Sequence, residues 1–314
     1  MNGVTARRAT PRDVDALIDF PGDPCVSGPP SAQVREDFDA HRMRPEWSWL
    51  LEENGRVVGR ALWWGRGGTT PSVLDALDVL PGVVDPRAGA ALLLQSGHAD
   101  FSSPGEPALP AYTIRLAPGW RGDPDASRAV RWRTEACSDQ GLTRPLERRQ
   151  YAWTPERAVP ARSTRVAFRP GTDDEFIELF RQAARGSLDV ETRRALETTD
   201  ELSQAQGDFE FYDSCPGERD WWRVATDTVG VPVGFIVPSA TPYHRNVGYL
   251  GVLPDQRGRG LVDDLLGEVT RIHAASGAEH ITATTDVTNL PMAAAFERAN
   301  YAVTENRLIL EAPR

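Results

Sequence analysis

The sequence predicts an α/β fold made of two copies of one unit of about 150 residues. The chain has 314 residues, which is long enough for two domains that each bury a core. A short strand followed by a helix at 4–20 returns at 164–183. The tripeptide Val-Leu-Pro closes an apolar strand at 79–81 and again at 252–254, each time before a leucine-rich helix. These repeats predict the element order β-α-β-β-β-α-β-α-β in each copy.

Each copy opens with a strand, a turn and an amphipathic helix. The apolar residues at helical spacing are Val14, Leu17 and Ile18 in the first copy, and Phe176, Ile177 and Phe180 in the second. Thr10 and Thr172 precede the two helices, and threonine is a favoured N-cap because its hydroxyl accepts a hydrogen bond from a free backbone N–H. We therefore expect both helices to begin after a threonine.

The middle and the end of each copy also correspond. A glycine turn followed by a strand that opens Val-Gly occurs at 53–64 and at 228–237, a pattern typical of a β-hairpin. Each copy then closes with a strand, a helix and a last strand. Prolines and arginines interrupt the periodicity at 153–163, so we predict a linker there. The predicted domains are residues 1–152 and 164–314.

The composition excludes several kinds of chemistry. All 35 basic side chains are arginines, so the chain has no lysine for a Schiff base or for a Walker-type nucleotide loop. A formal net charge of −10 argues against general nucleic-acid binding, which depends on neutralising phosphates. The same acidic charge favours cationic or amine-bearing partners.

Neither a metal site nor a membrane location is indicated. Cys25, Cys137 and Cys215 are far apart, and the histidines lack the spacing of metal ligands. No apolar run approaches the roughly 20 residues that a membrane helix needs, and the N-terminus does not resemble a signal peptide. We expect a cytoplasmic protein, a monomer or homodimer, without a metal and without membrane or nucleic-acid partners.

The most informative segment is 246–275. A strand ends at Pro254, a glycine-rich turn follows, and a helix begins near Leu261. Gly258 and Gly260 thus lie at a helix N-terminus, where free backbone N–H groups and the helix dipole attract anions. Glycine permits close approach of a phosphate, and the adjacent arginines can add charge-assisted contacts. The segment therefore predicts a phosphate or pyrophosphate site.

This segment resembles the signature of the GNAT superfamily of N-acetyltransferases, R/Q-x-x-G-x-G/A after a strand that ends in V-x-P. Residues 252–254 and 257–262 match the signature, except that Val262 stands where family members have Gly or Ala. As in the family, Asn289 opens the next predicted helix, and Asn300 and Tyr301 follow its end. The resemblance extends over 164–311 and is only architectural over 1–150.

The resemblance implies an α/β (α+β) fold of two tandem GNAT-like domains, each a mixed, mostly antiparallel central sheet flanked by helices. It also implies acetyl-coenzyme A, or another acyl-coenzyme A, as the donor. In the family the loop holds the pyrophosphate, the preceding strand pairs with the pantetheine arm, and a strand N–H donates to the thioester carbonyl. The corresponding positions are Leu250, Gly251, Val252, Arg257, Gly258, Arg259, Gly260, Leu261, Val262 and Asn289.

The resemblance breaks at the residue that donates a proton to the leaving thiolate. Many family members have a tyrosine five residues before the closing aromatic residue, and this chain has Phe296 there. The candidates for proton transfer are Tyr249, Tyr243 or water as the acid, and Asp286, His244 or Glu210 as the base.

The first copy lacks the glycine pair of the loop. Alignment of the two Val-Leu-Pro tripeptides puts Asp85 and Arg87 opposite Gly258 and Gly260, and an acidic Asp85 would repel a pyrophosphate. We therefore expect residues 1–150 to bind no coenzyme A and to support the fold and the acceptor cleft.

The predicted activity is transfer of an acetyl or other acyl group from acyl-coenzyme A to the amine of a small molecule, by direct attack in a ternary complex. The alternative is a catalytically inactive protein that binds coenzyme A as a sensor or interaction module. Phe296 and Val262 support the alternative, whereas the intact Arg257, Gly258 and Gly260 favour the enzyme.

Overall fold

A computed structural model describes residues 3–82, 85–101 and 109–313 of the chain. The chain forms two compact units, Met1–Glu147 with Glu305–Arg314, and Arg148–Thr304. Each unit has a mixed sheet of six strands flanked by helices, and all but one of the strand pairings within each unit are antiparallel. The predicted fold class of two tandem α/β units is confirmed.

The first unit contains both ends of the chain. Its strands are β1 (Val4–Arg8), β2 (Met43–Glu53), β3 (Arg56–Trp64), β4 (Val73–Val79), β5 (Ala111–Leu116) and β12 (Ala302–Glu311). Its helices are α1 (Val14–Ile18), α2 (Ser31–Asp39), α3 (Pro86–Phe101) and α4 (Pro124–Asp139). The strand order is β1-β2-β3-β4-β5-β12, in which only β4 and β5 run parallel.

The second unit repeats this plan with additional helices. Its strands are β6 (Arg144–Trp153), β7 (Ala167–Arg169), β8 (Arg223–Thr226), β9 (Pro232–Ala240), β10 (Arg245–Val252) and β11 (Ile281–Asp286). Its helices are α5 (Asp173–Ala184), α6 (Val190–Ala195), α7 (Glu201–Asp213), α8 (Leu261–Ala275) and α9 (Leu290–Arg298). The strand order is β7-β8-β9-β10-β11-β6, in which only β10 and β11 run parallel.

The predicted helix starts are right in one copy and displaced in the other. The Thr172 hydroxyl accepts a hydrogen bond from the backbone N–H of Glu175 and caps α5. Thr10 instead precedes a short 3-10 turn, and α1 begins only at Val14. The turn starts with Pro11, whose ring suits a first helical position because it has no N–H to satisfy.

The last strand of each half of the sequence lies in the sheet of the other unit. Residues 148–153 of β6 pair antiparallel with β11, and residues 306–310 of β12 pair antiparallel with β5. The boundary between the units therefore falls inside β6, between residues 147 and 148, whereas the sequence placed it at 153–163. Sequence patterns define a strand but not its partner, so this exchange was not foreseen.

The divergence of β10 from β11 creates the site described below. The two strands pair at two positions only, Arg245 with Ile281 and Asn246 with Thr282. The register of β10 against β9 then shifts at a bulge, where Gly248 has a left-handed φ of 69°. A Cβ at Gly248 would lie 2.1 Å from the Val237 carbonyl oxygen, so only glycine fits. Beyond this bulge, residues 249–252 are paired with β9 alone.

The first unit has charged side chains in its core. Arg133 is fully buried in α4; its Nη1 donates to Asp23 at 2.9 Å, and its Nε donates to the Leu77 carbonyl at 3.2 Å. Arg60 donates through Nε to Asp78 at 2.9 Å, with both side chains buried. The Val-Leu-Pro alignment places Asp78 opposite Gly251 of the second unit. At this position the first unit thus has a buried ion pair, whereas the second unit has a glycine, which has no side chain.

Replacement of Arg133 by methionine is expected to destabilise the first unit by about 3 kcal/mol. The change leaves the half-buried Asp23 without its cation and the buried Leu77 carbonyl without its donor, which costs more than the loss of a surface pair. Urea unfolding measures the difference in free energy. Arg131→Met is the matched control, because Arg131 is exposed on the same helix. Equal stability of the two variants would contradict this account.

Candidate functional site

A cavity of about 340 Å³ opens in the second unit where β10 leaves β11. Its walls are the end of α5 with residues 186–188, the edge of β10 at 249–252, the loop 256–262 and the start of α9. The described residues that line it include nine of the ten predicted donor-binding positions: Leu250, Gly251, Val252, Arg257, Gly258, Gly260, Leu261, Val262 and Asn289. The structure therefore brings these residues together around one space.

The glycine loop has the backbone conformation that an anion site requires. Gly258 and Gly260 have φ values of 76° and 72°, in the left-handed region that favours glycine, and Gly260 is the N-cap of α8. A Cβ at either position would meet no atom within 4 Å, so the space above the loop is open. Within the described part of the chain, the N–H groups of Gly258, Arg259 and Gly260 have no hydrogen-bond acceptor. These groups are free to bind phosphate oxygens.

The Arg257 side chain has a different environment from the one expected. Its guanidinium donates to the backbone carbonyls of Ala183 at 2.7 Å and Arg185 at 2.7 Å, and to two further carbonyls, those of Gly186 and Val252. Arg257 thus fastens the loop to the C-terminal end of α5, where helix carbonyls lack internal partners. With its donors engaged in this way, its role in the site is to position the cavity wall.

Two other arginines contact the same loop. The Arg259 side chain donates to Gln256 and does not line the cavity. Arg165, which sequence reasoning missed, donates to the carbonyls of Arg259 at 3.0 Å and Gly260 at 3.3 Å and pairs with Asp264. It lies about 95 residues from the loop in sequence, so no local motif could reveal it.

The edge of β10 forms the long wall of the cavity. Leu250, Gly251 and Val252 pair with β9 through Ile236, Phe235 and Gly234 respectively. A Cβ at Gly251 would lie 2.7 Å from the Phe235 ring and 3.0 Å from the Ala183 Cβ, so glycine allows α5 to approach the sheet closely. At the opposite wall, the Asn289 side chain accepts from the Met292 N–H at 3.3 Å and caps α9.

Tyr249 is the predicted catalytic residue that lines the cavity. Its ring packs against Phe180, Phe235 and Tyr212, with centroid distances of 4.9, 5.4 and 5.9 Å. Burial raises the pKa of the Tyr249 phenol well above its usual range. The phenol therefore keeps its proton at neutral pH and can act as a hydrogen-bond donor.

Asp286 is engaged in a structural network. It is 1% exposed; its Oδ1 accepts from Arg148 Nε at 2.8 Å and its Oδ2 from the Val190 N–H at 2.6 Å. Arg148 also pairs with Asp189 and Glu191, so it ties the end of β11 to the start of α6. Asp286 anchors the segment that begins α6 and does not line the cavity.

The other two candidate bases lie on the surface. His244 is exposed in the turn 241–244, where its ring contacts His280 at a centroid distance of 5.7 Å. Burial of part of the ring and the charge of His280 lower the pKa of His244. Glu210 is exposed on α7. The structure brings neither residue to the cavity.

Phe296 is buried in α9. It is 2% exposed and stacks on Tyr151, with ring centroids 4.8 Å apart. The Tyr151 hydroxyl is also buried, and within the described residues it has no hydrogen-bond partner. Phe296 therefore packs in the core beneath α9.

Asp208 is a carboxylate that sequence reasoning missed. It lies on α7, is half-buried, and accepts a hydrogen bond from Gln204 at 2.9 Å. Burial, together with the negative charges of Asp189 and Glu191, raises its pKa to about 6. The only sequence signal was its spacing of four residues from Tyr212, which puts both on one helix face.

Two general features of the described residues bear on the type of site. They contain no group of three or more His, Cys, Asp or Glu side chains arranged to hold a metal ion. Among their helices, none combines the length and apolar character needed to cross a membrane.

Comparison with known proteins places this site in a family. The model of the acetyltransferase (GNAT) family matches residues 187–301, which include the cavity wall at β10, the glycine loop and Asn289. No curated protein matches the chain in sequence.

Solved structures resemble the chain over almost its whole length. A GCN5-related N-acetyltransferase from Sphaerobacter thermophilus is 20% identical with a TM-score of 0.59, covering 99% of this chain and 96% of that one. A tandem GNAT protein from the clavulanic acid biosynthesis pathway is 16% identical with a TM-score of 0.51, covering 98% and 97%. A glucosamine N-acetyltransferase region of a fungal multi-domain β-N-acetylglucosaminidase has 14% identity and a TM-score of 0.55, over 98% of this chain and 38% of that one.

At identities of 14 to 20%, the solved structures show only that the fold is shared. The family model matches the segment that contributes most of the cavity walls. The GNAT resemblance seen in the sequence is thereby confirmed. Residues 187–301 match the model of the acetyltransferase (GNAT) family, and the chain as a whole shares its fold with a tandem GNAT protein.

Proposed function

We propose that this protein is an N-acyltransferase that moves an acetyl group, or another acyl group, from acyl-coenzyme A to the amine of a small molecule. The observation that carries the proposal is the course of the cavity. It begins at the free N–H groups of residues 258–260 and follows the unpaired edge of β10 to Tyr249. A site of this shape suits a long ligand that has phosphates at one end and its reacting group at the other.

The residues present fit acyl-coenzyme A. The N–H groups of Gly258, Arg259 and Gly260 would hold the pyrophosphate, and the backbone of 250–252 would pair with the pantetheine arm. Bound acyl-coenzyme A supplies an activated thioester. The protein's contribution is to align this group with the amine and to manage protons, and neither task requires a covalent enzyme intermediate.

Tyr249 is the residue that we propose as proton donor to the leaving thiolate. It stands at the inner end of the cavity and holds its proton. Tyr249→Phe is expected to lower kcat about 10-fold or more while the Kd for acetyl-coenzyme A is unchanged, because the ring contacts remain. Tyr243→Phe, outside the cavity, tests the other phenol. A selective loss of turnover at Tyr243 would contradict the assignment.

The first unit is proposed to bind no coenzyme A. The buried Arg60–Asp78 pair occupies the part of the unit that corresponds to the open β10 edge, and a carboxylate there disfavours a polyanion. We propose a supporting role for this unit. A small cationic amine is the favoured acceptor because the chain has a net charge of −10.

Calorimetry on the purified protein tests the donor assignment. We expect one binding site for acetyl-coenzyme A and for free coenzyme A, and no binding of NAD. Release of free thiol on addition of primary amines then tests transfer. Absence of binding by both coenzyme A species would overturn the proposed function.

The second candidate function is a coenzyme A-binding protein without catalytic activity. The observation that favours it is Phe296, whose buried ring stands where many relatives have a tyrosine. Tight binding of acetyl-coenzyme A with no thiol release above the hydrolytic background for any amine would support this function over the enzyme.

A further inference from the structure

One face of α7 continues the site beyond the inner end of the cavity. Asp208 and Tyr212 are four residues apart and therefore lie one turn apart on the same face of the helix. The Tyr212 ring stacks on Phe180 at 6.0 Å and meets the ring of the cavity residue Tyr249 edge to face at 5.9 Å. The negative charge of Asp208 contributes to raising the pKa of both tyrosines, as expected for a carboxylate close to them. Asp208 therefore lies one helical turn from a ring that packs against Tyr249, although Asp208 and Tyr212 are not themselves among the residues that line the cavity.

This end of the cavity is where the reaction would take place. The phosphate-binding N–H groups are at residues 258–260, and the cavity runs from there along β10 to Tyr249. A donor whose pyrophosphate is held at the loop therefore presents its acyl group near Tyr249. The acceptor amine must reach the same point, and α7 contacts this end of the cavity through the Tyr212 ring, which packs against Tyr249.

Asp208 differs from the acidic groups around it, because no arginine among the described residues pairs with it. Asp189 and Glu191 at the start of α6 both pair with Arg148 of β6. Glu201, at the start of α7, pairs with Arg181 of α5 and with Arg185, which follows the end of α5. Asp208, by contrast, has only the neutral amide of Gln204 as a hydrogen-bond donor within the described chain. A half-buried carboxylate with no counter-ion is costly, and a bound cation would relieve that cost.

We propose that Asp208 binds the ammonium group of the acceptor and takes its proton as the amine attacks the thioester. This inference rests on the proposed acyl transfer. The ring of Tyr249, which lines the cavity, would contact the ammonium group, since aromatic faces attract cations. The site therefore selects a cationic primary amine over a neutral acceptor.

Acyl transfer removes two protons from the ammonium group. The ammonium group gives one proton to the Asp208 carboxylate and becomes a neutral amine. Its nitrogen forms a bond to the thioester carbonyl carbon, and the carbon–sulfur bond breaks. The second proton lost from nitrogen goes to the departing thiolate through the Tyr249 hydroxyl, so the products are the amide and the thiol of coenzyme A.

Steady-state kinetics with four primary amines, namely ethylamine, 1,4-diaminobutane, spermidine and glucosamine, tests this assignment. For the best acceptor, Asp208→Asn is expected to lower kcat/KM about 100-fold, a typical contribution of a general base. Asp208→Glu should recover part of the activity. Asp213→Asn is the matched control, because it removes the same charge from an exposed position at the end of α7. The Kd for acetyl-coenzyme A should be the same in all four proteins.

The pH dependence separates a base from a merely structural carboxylate. A base must be ionised, so kcat/KM of the wild type should fall as the pH drops below about 6, and this inflection should be absent in Asp208→Asn. The stability of the folded protein has the opposite pH dependence. Because the pKa of the Asp208 carboxyl is raised in the folded protein, ionisation of this group at higher pH lowers the stability. Asp208→Asn should therefore have a higher Tm than the wild type at pH 7.5, and the gain should shrink as the pH falls through 6 towards 4.

The outcomes distinguish this inference from the proposed function. If acetyl-coenzyme A binds to none of the proteins, the proposed function fails. If it binds and Asp208→Asn transfers acetyl groups as fast as the wild type, only the role of Asp208 fails. Binding with no transfer to any of the four amines would overturn the proposed acyl transfer, and the role of Asp208 with it. Transfer by the wild type together with a Tm gain that does not depend on pH would overturn the assignment of Asp208 alone.

Discussion

Gly260→Asp is expected to abolish acetyl-coenzyme A binding, with a Kd at least 100-fold weaker in calorimetry. The new side chain would project into the open space above the loop, where a Cβ meets no atom within 4 Å. Its carboxylate would stand where the free N–H groups at 258–260 point, and would repel a pyrophosphate. The protein should stay folded, because nothing in the core is displaced.

Gly277→Asp is the matched control for this change. Gly277 has a φ of 76° and equally open surroundings, so aspartate there meets the same backbone strain of about 1 kcal/mol. Gly277 lies beyond the C-terminal end of α8, away from the cavity. Equal acetyl-coenzyme A affinity of the two variants would show that the loop is not the phosphate site.

The fragment 155–314 is expected to lose cooperative folding, although it contains the whole domain that the sequence defines. It lacks the segment 148–153 of β6, which pairs along β11. Tyr151 and Trp153 in that segment are at most 1% exposed and pack in the core of the second unit. Removal of a single buried aromatic side chain costs about 3 to 5 kcal/mol, so removal of both costs about 6 to 10 kcal/mol, which is comparable with the whole stability of an ordinary domain.

A second fragment, 148–304, tests whether the missing segment of β6 is what prevents cooperative folding of 155–314. It keeps residues 148–153 of β6, which pair with β11, and omits residues 305–314, which belong to the first unit. Thermal unfolding followed by circular dichroism should show a sharper transition for 148–304 than for 155–314. A cooperative transition of 155–314 at the temperature of the intact protein would mean that β6 contributes little to the second unit.

The parts of the site that could be predicted from the sequence are those made by one continuous segment. The strand ending in Val-Leu-Pro, the glycines at 258 and 260 and the helix after them follow one another directly. Glycine at a left-handed φ and free N–H groups at a helix start depend on neighbours a few residues away. For the same reason Asn289 could be assigned as the cap of α9.

The parts that could not be predicted join distant segments. Asp286 ends a strand, which suggests a base, but Arg148 lies 138 residues away and engages it in an ion pair. Arg257 looks like a phosphate ligand in the motif, yet carbonyls more than 70 residues away accept its hydrogen bonds. Asp208 carries no motif, because its raised pKa comes from burial and from charges on another helix.

The sequence by itself thus determined the two-copy α/β plan, the anion-binding loop and the likeness to acetyltransferases, because each depends on periodicity or on residues close together in the chain. Only the tertiary structure decided which strands pair, which arginines position the walls and which carboxylate stands at the inner end of the cavity. The physical reason is that strand pairing, burial and charge compensation depend on contacts across the fold, and a local pattern carries no information about the partner.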